Sequence, residues 1–135
     1  MTVVLIDTAN VVGSRPDGWW RDRAGATSRL LDRLAALPGR TVAGPDGDPV
    51  PVTGLVAVVE GQAREVAAPD GIQLVRAPGS GDDAIAGTAA TLAGGGDDLL
   101  VVTADRGLRA RLPGAARTAG PGWLLDVADR LSTLR

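Results

Sequence analysis

Carboxylates are the side chains of this sequence best placed to do chemistry. Asp7 directly follows an apolar run, Glu60 follows a second run, and Asp105 follows a later one after two intervening residues, while Asp82 and Asp83 open a predicted helix. Acids held close together repel one another unless a cation neutralises them, and all-oxygen ligands suit Mg²⁺ or Mn²⁺. The sequence therefore predicts a Mg²⁺ or Mn²⁺ site made from these five acids.

The residue types that are missing narrow the chemistry further. The 135 residues include no cysteine or histidine, and all 14 basic residues are arginine. Disulfides, thiol nucleophiles, imidazole bases, the Ser-His-Asp triad, Schiff bases and a Walker-type lysine are therefore excluded. We expect an enzyme with this composition to act through carboxylates that hold a hard cation.

Composition and charge indicate one soluble domain that spans residues 1–135. Hydrophobic residues make up 44% of the chain, and 14 basic residues against 16 acidic ones give a net charge of −2. That balance does not by itself indicate a nucleic-acid-binding protein. The apolar run before Asp7 is too short for a signal peptide, and no stretch has membrane-spanning length. We expect a cytoplasmic protein that does not contact membranes.

Apolar runs alternate with helical patterns along the chain. This order predicts an α/β fold, a three-layer α/β/α sandwich with a mainly parallel central sheet. Because the carboxyl ends of parallel strands share one edge, the acids at those ends should converge. Strands are predicted at 3–6, 55–59, 72–75, 99–102 and weakly at 115–118, and helices at 23–37, 62–68, 82–93, 106–112 and 121–134. Residues 8–23 are predicted to form a polar segment, and residues 39–54 a loop or a short hairpin.

Each acid also has an ordinary structural interpretation. Asp7, Asp82, Asp83 and Asp105 each stand where a side chain could cap the next helix or turn. Glu60 could be a solvated acid at the end of a strand. The common position of all five acids at one edge favours the metal site over five separate structural roles.

Small polar residues accompany the acids. Asn10 lies three residues after Asp7, Thr103 precedes Asp105 by two, and Ser80 precedes Asp82 by two. Such groups orient carboxylates or contact a phosphate, and they are equally common as ordinary turn residues.

Arginine and tryptophan provide candidate contacts to a nucleic acid. Arginine can bind phosphate, and tryptophan can stack on an unpaired base. The alternative is that the tryptophan pair packs against the domain and the arginines are solvated. The candidate substrate-binding residues are Arg15, Trp19, Trp20, Arg21 and Arg23 in the segment after the first strand, and Arg106 beside Asp105.

Four short motifs together resemble the PIN-like nuclease superfamily, in particular the YacP-like branch of the NYN domains. They are Asp7-Thr8-Ala9-Asn10, Val58-Val59-Glu60-Gly61, Gly81-Asp82-Asp83-Ala84-Ile85, and residues 101–108. They occur in the family's order over nearly the whole chain. The sequence departs from the family's pattern at two positions, where Glu60 replaces the usual Asp and Gly81 the usual Ala.

The resemblance implies a metal-dependent ribonuclease with RNA as its substrate. Asp7, Asp82 or Asp83, and Asp105 would then be metal ligands, with Asn10 and Thr103 in support. Water would attack the phosphodiester in line and leave a 5′-phosphate and a 3′-hydroxyl.

Two other classes of function remain open at the level of the sequence. One is a catalytically inactive module of the same fold that binds RNA or a protein. The other is a phosphotransfer protein, which usually needs a lysine beside its acids, and this chain has none. A homodimer or a protein partner such as an antitoxin is also compatible with the sequence.

Overall fold

A six-stranded sheet forms the middle layer of the protein, whose computed structural model describes residues 1–133. Strand β1 lies at its centre, parallel to β3 on one side and to β5 on the other, with Ile6 opposite Ala57 and Val102. Strand β4 adds to β3, and β6 adds to β5, both in parallel. The strands are β1 (Thr2–Asp7), β2 (Thr41–Ala43), β3 (Pro49–Val59), β4 (Ile72–Arg76), β5 (Asp98–Val102) and β6 (Arg117–Ala119).

Strand β3 is longer than the sequence predicted. The prediction missed its first half because that half is rich in proline and glycine, which are typical of turns. Residues 49–51 pair antiparallel with β2, so the hairpin interpretation of residues 39–54 is confirmed and the loop interpretation is wrong. Val50 and Val52 are buried while Pro49 and Pro51 are exposed, which is the alternation of a strand. Proline cannot donate to the ladder and is tolerated mainly at strand edges, so two prolines conceal the pattern.

Helices cover both faces of the sheet, which confirms the three-layer α/β/α architecture. Val4 and Ile6 of β1 pack in one core cluster with Leu31 of α2 and with residues of α5. Leu5 packs in a second cluster with Ile85 of α3. The helices are α1 (Thr8–Val12), α2 (Arg23–Leu34), α3 (Gly81–Gly94), α4 (Arg106–Arg109) and α5 (Pro121–Thr133), with 3₁₀ turns at Trp19–Arg21 and Gly61–Glu65. No helix within residues 1–133 is long and apolar enough to cross a membrane.

Several predicted helix boundaries differ from the structure. The short helix α1 lies within the segment predicted as a polar loop, and α2 ends at Leu34, three residues early. The helix predicted over 62–68 is a 3₁₀ turn, and α4 has four residues instead of seven. The last helix agrees with its prediction as far as Thr133, and Leu134 lies outside the described residues.

The alternation of strand side chains directs three polar residues toward the α3 face. Leu5, Val58 and Val101 belong to the core cluster on that face. Successive side chains of a strand point to opposite faces, so each second residue returns to the same one. The polar residues that stand two positions further along these strands are Asp7, Glu60 and Thr103.

Candidate active site

Asp7 lies at the centre of the candidate site, at the carboxyl end of the central strand. Only 7% of its surface is exposed. Its carboxylate accepts a hydrogen bond of 2.8 Å from the Thr103 hydroxyl and a weaker one of 3.4 Å from the Asn10 backbone N–H. The first bond joins β1 to the end of β5, and the second begins helix α1. Asp7 is therefore a helix cap as well as a candidate ligand.

Burial and neighbouring acids act on Asp7 together. Burial raises the pKa of the Asp7 carboxyl above its ordinary value, and the negative charges of Asp82 and Glu60 raise the pKa further. The hydrogen bonds from Thr103 and Asn10 act in the opposite direction and leave a net increase. Two acids from separate parts of the chain thus lie close enough to Asp7 for their charges to act on it.

The adjacent acids Asp82 and Asp83 have different environments. Ser80 caps α3, its hydroxyl accepting from the Asp82 backbone N–H at 3.2 Å, and Asp82 is half-buried. Asp83 is exposed and forms an ion pair of 2.8 Å with Arg111. Successive residues of a helix point about 100° apart, so only one of two neighbours can face Asp7. Within residues 1–133, Asp82 and Glu60 are the acids that raise the pKa of Asp7.

Glu60 lies against the first turn of α3. Its Oε2 atom accepts a hydrogen bond from the Gly81 backbone N–H. A Cβ atom on residue 81 would come within 2.8 Å of Glu60 Cδ and closer still to Oε2. The glutamate carboxylate therefore occupies the space that an alanine side chain would take. One contact therefore couples the residue at position 60 to the residue at position 81.

Asp105 caps the short helix α4, as the structural interpretation of the sequence allowed. Its Oδ1 atom accepts from the Leu108 backbone N–H at 3.0 Å. The Asp105 backbone N–H donates to the Thr103 hydroxyl at 3.1 Å, and the same hydroxyl donates to Asp7. A hydrogen-bonded chain therefore links Asp105 to Asp7 through a fully buried threonine.

Two further side chains hold the loop between β5 and α4. Asn10 accepts a hydrogen bond of 2.9 Å from the Ala104 backbone N–H, which supports its predicted positioning role. Arg109 donates from Nε and Nη2 to the Thr103 carbonyl at 3.0 and 2.6 Å. Arg109 was not among the residues predicted from the sequence. Its place one turn after Asp105 was the available signal.

Trp19 and Arg23 line a cleft beside the acids, and Trp20 stands outside it. The cleft has a volume of about 340 Å³, and Thr8 and Glu60 also line it. The Arg23 guanidinium lies 5.2 Å from the centre of the Trp19 ring, which is cation–π contact. Trp20 is 53% exposed and meets Trp19 edge to face, with ring centroids 6.1 Å apart.

The other candidate arginines lie apart from this cleft. Arg15 forms an ion pair of 3.2 Å with Asp129 of α5, and Arg33 pairs with the same carboxylate. Hydrogen bonds from Arg33 and then Arg15 lower the pKa of Asp129. Arg21 and Arg106 are exposed. The structure thus groups Arg23 with the tryptophans and directs Arg15 to α5.

The five predicted ligands do not form one metal cage. No group of three or more carboxylates within residues 1–133 is arranged to hold an ion. Asp83 forms an ion pair with Arg111. The carboxylates of Glu60 and Asp105 accept hydrogen bonds from backbone N–H groups at the starts of α3 and α4. Mg²⁺ usually keeps several waters and binds proteins through one or two carboxylates. Asp7 and the half-buried Asp82, whose charge acts on it, are the two acids that could hold such a hydrated ion.

The mainly parallel sheet and the helices on both of its faces define a three-layer α/β/α fold. Two crystal structures of Rae1 (YacP) from Bacillus subtilis share that fold. The wild-type structure matches with a TM-score of 0.71 and 14% identity, over 98% of this chain and 76% of Rae1. The W164L mutant matches with a TM-score of 0.69 and 17% identity, over 98% and 78%. No family model and no curated protein sequence matches the chain.

Replacing Asp7 by the neutral, equally sized asparagine should stabilise the protein at neutral pH in metal-free buffer. A carboxyl whose pKa is raised by folding binds its proton more tightly in the folded state. Stability therefore falls as pH rises from the unfolded pKa through the raised one, and the ionised Asp7 remains destabilising above it. Urea unfolding of the wild type and Asp7→Asn from pH 4 to 7 measures the difference. Exposed Asp17→Asn is the control, and a less stable Asp7→Asn at pH 7 would contradict the account.

Replacing Gly81 by alanine should displace the Glu60 carboxylate. The lost hydrogen bond should lower the free energy of unfolding by about 1 kcal/mol. In a Glu60→Ala background the same change should be neutral or stabilising, because alanine is the better helix former. A double-mutant cycle by chemical denaturation measures the coupling. Equal effects of Gly81→Ala in both backgrounds would show that the contact is unimportant.

Proposed function

We propose that this protein is a metal-dependent ribonuclease that hydrolyses RNA phosphodiester bonds. The observation that carries the proposal is the buried Asp7 carboxylate, with its pKa raised by burial and by two further acids, at the carboxyl edge of the sheet. Ligands of parallel α/β proteins bind at that edge. The motifs around Asp7, Asp82 and Asp105 resemble those of NYN nucleases, and the PIN-like fold supports the comparison.

Asp7 and Asp82 would hold Mg²⁺ or Mn²⁺, with Glu60 nearby. Such ions, when bound, stabilise the negative charge that develops on the attacking and leaving oxygens of a phosphodiester. The Thr103 hydroxyl keeps one Asp7 oxygen in place, and Asn10 fixes the loop that carries Asp105. No side-chain nucleophile is required, which agrees with the absence of Cys, His and Lys.

A non-catalytic RNA-binding module is the second candidate. Two observations favour it, namely the absence of a group of three metal-binding carboxylates within residues 1–133 and the bond of Glu60 to Gly81. Such a module would bind Mn²⁺ weakly and cleave nothing. Cleavage and metal binding therefore separate the two candidates.

Nuclease activity should depend on Asp82 and not on its neighbour Asp83. We expect the wild type to cleave single-stranded RNA in Mn²⁺ and to stop when the metal is chelated. Asp7→Asn and Asp82→Asn should each lower the rate at least about 100-fold, because each removes a charged ligand. Asp83→Asn should stay within about threefold, since it removes only an exposed ion pair. Equal rates for Asp82→Asn and Asp83→Asn would refute the assignment.

Asp105→Asn tests the third acid without removing its cap. Asparagine caps helices about as well as aspartate, so α4 should persist. A large loss of cleavage with an unchanged thermal midpoint would then report the carboxylate charge of Asp105. If Asp105→Asn cleaves RNA at the wild-type rate, the role of Asp105 is only to cap α4.

Metal alone should stabilise the folded protein. A ligand that binds only the native state adds about 2.7 kcal/mol at a hundredfold excess over its dissociation constant. Mn²⁺ should therefore raise the thermal midpoint of the wild type, measured by circular dichroism without RNA. Asp7→Asn should show a much smaller shift, while Asp17→Asn should match the wild type. The same shift of the thermal midpoint in all three proteins would show that Mn²⁺ binds at a site that does not include Asp7.

A further inference from the structure

The cleft beside Glu60 is built from five separate elements. Its walls come from α1, the 3₁₀ turn at Trp19–Arg21, the start of α2, the end of β3 and the 3₁₀ turn after it. Its volume of about 340 Å³ lies at the lower end of the range for small-molecule sites. Buried Thr27 and Ala63 contribute to the lining, beside the Trp19 ring. The cleft is therefore a concave site with one aromatic wall.

The lining of the cleft favours a nucleobase over a phosphate group. Glu60 is one of the lining residues, and its negative charge opposes a phosphate there, while the Arg23 guanidinium already lies over the Trp19 ring. An uncharged, flat and largely apolar nucleobase meets no such repulsion. Unpaired bases stack on aromatic rings and on arginine planes, and the cleft provides both in Trp19 and Arg23. The Arg23 side chain is exposed, so it can move aside as a base enters.

The cleft adjoins the acidic site through two residues. Thr8 follows Asp7 directly in the chain and lines the cleft. Glu60 lines the cleft and also raises the pKa of Asp7. A nucleotide whose base enters the cleft therefore brings its own phosphate to the edge where Asp7 lies.

We propose that this cleft is a subsite for one unpaired RNA base next to the phosphate that is cleaved. The proposal rests on the proposed ribonuclease function and adds the place on this chain where one base of the substrate binds. A base within a duplex is stacked and paired, so it cannot enter a cleft of this kind without leaving the helix. Contact is mainly with the face of the base, so the subsite should accept different bases.

Binding of a labelled, non-cleaved RNA tests the subsite. Fluorescence anisotropy in chelator compares a short single-stranded RNA, the same RNA with one abasic position, and its duplex. Trp19→Ala should weaken binding of the single strand about 5- to 100-fold, the range of base–aromatic stacking. Trp20→Ala is the matched control, since Trp20 is the exposed neighbour that does not line the cleft, and it should stay within about twofold.

Comparing the three RNAs with the wild-type protein alone gives a test that does not depend on whether a variant folds. The wild type should bind the intact single strand more tightly than the duplex. It should also bind the intact strand more tightly than an RNA whose abasic position coincides with the base that enters the cleft. Equal effects of Trp19→Ala and Trp20→Ala, or equal affinity for single strand and duplex, would overturn the subsite. Binding that depends on Trp19 without cleavage in Mn²⁺ would keep the subsite and reject the nuclease. Cleavage in Mn²⁺ with binding that does not depend on Trp19 would keep the nuclease and reject the subsite.

Discussion

The desolvated carboxylate of Asp7 is the constraint on which the carboxyl edge of the sheet depends. Strand β1 is covered on both sides by β3 and β5, so the residue that ends it has little access to water. A buried charge needs hydrogen bonds, and Thr103 and the start of α1 supply them. Two more acids nevertheless raise the pKa of Asp7. The fold thus keeps an arrangement that a bound cation would relieve, and such unfavourable arrangements are typical of functional sites.

Glu60 shows how one side chain in such a site limits what its neighbour can be. A glutamate at the end of β3 reaches one methylene further than an aspartate, and its carboxylate meets the first turn of α3. That position can be occupied only because Gly81 has no Cβ. The hydrogen bond to the Gly81 N–H places a negative charge at a helix start, where it is stabilised. Glu60 is therefore held by the start of α3, whereas the Asp7 carboxylate is held by Thr103 and by the start of α1.

The sequence was sufficient to predict the layers and the approach of Asp82 and Glu60 to Asp7, because both follow from the order of strands and helices. Continuous apolar runs predicted β1, β4 and β5 within about a residue. Helix α1 was missed because five residues of mixed polarity give no periodic pattern. The different environments of Asp82 and Asp83 depend on helix phase. The bond between Glu60 and Gly81 depends on a distance between two elements, so neither could be predicted from residue types and spacing.

The end of β3 lies between two different environments, the acids on one side and the aromatic cleft on the other. Val58 packs on the α3 face of the sheet and Val59 on the α2 face, because strand side chains alternate. Glu60 follows them at the edge, close enough to Asp7 to act on its pKa and also part of the cleft that contains Trp19. The acids therefore lie on one side of this strand end and the aromatic cleft on the other. In the subsite that we propose, a single-stranded nucleotide would place its phosphate on the first side and its base on the second, which a stacked and paired base cannot do.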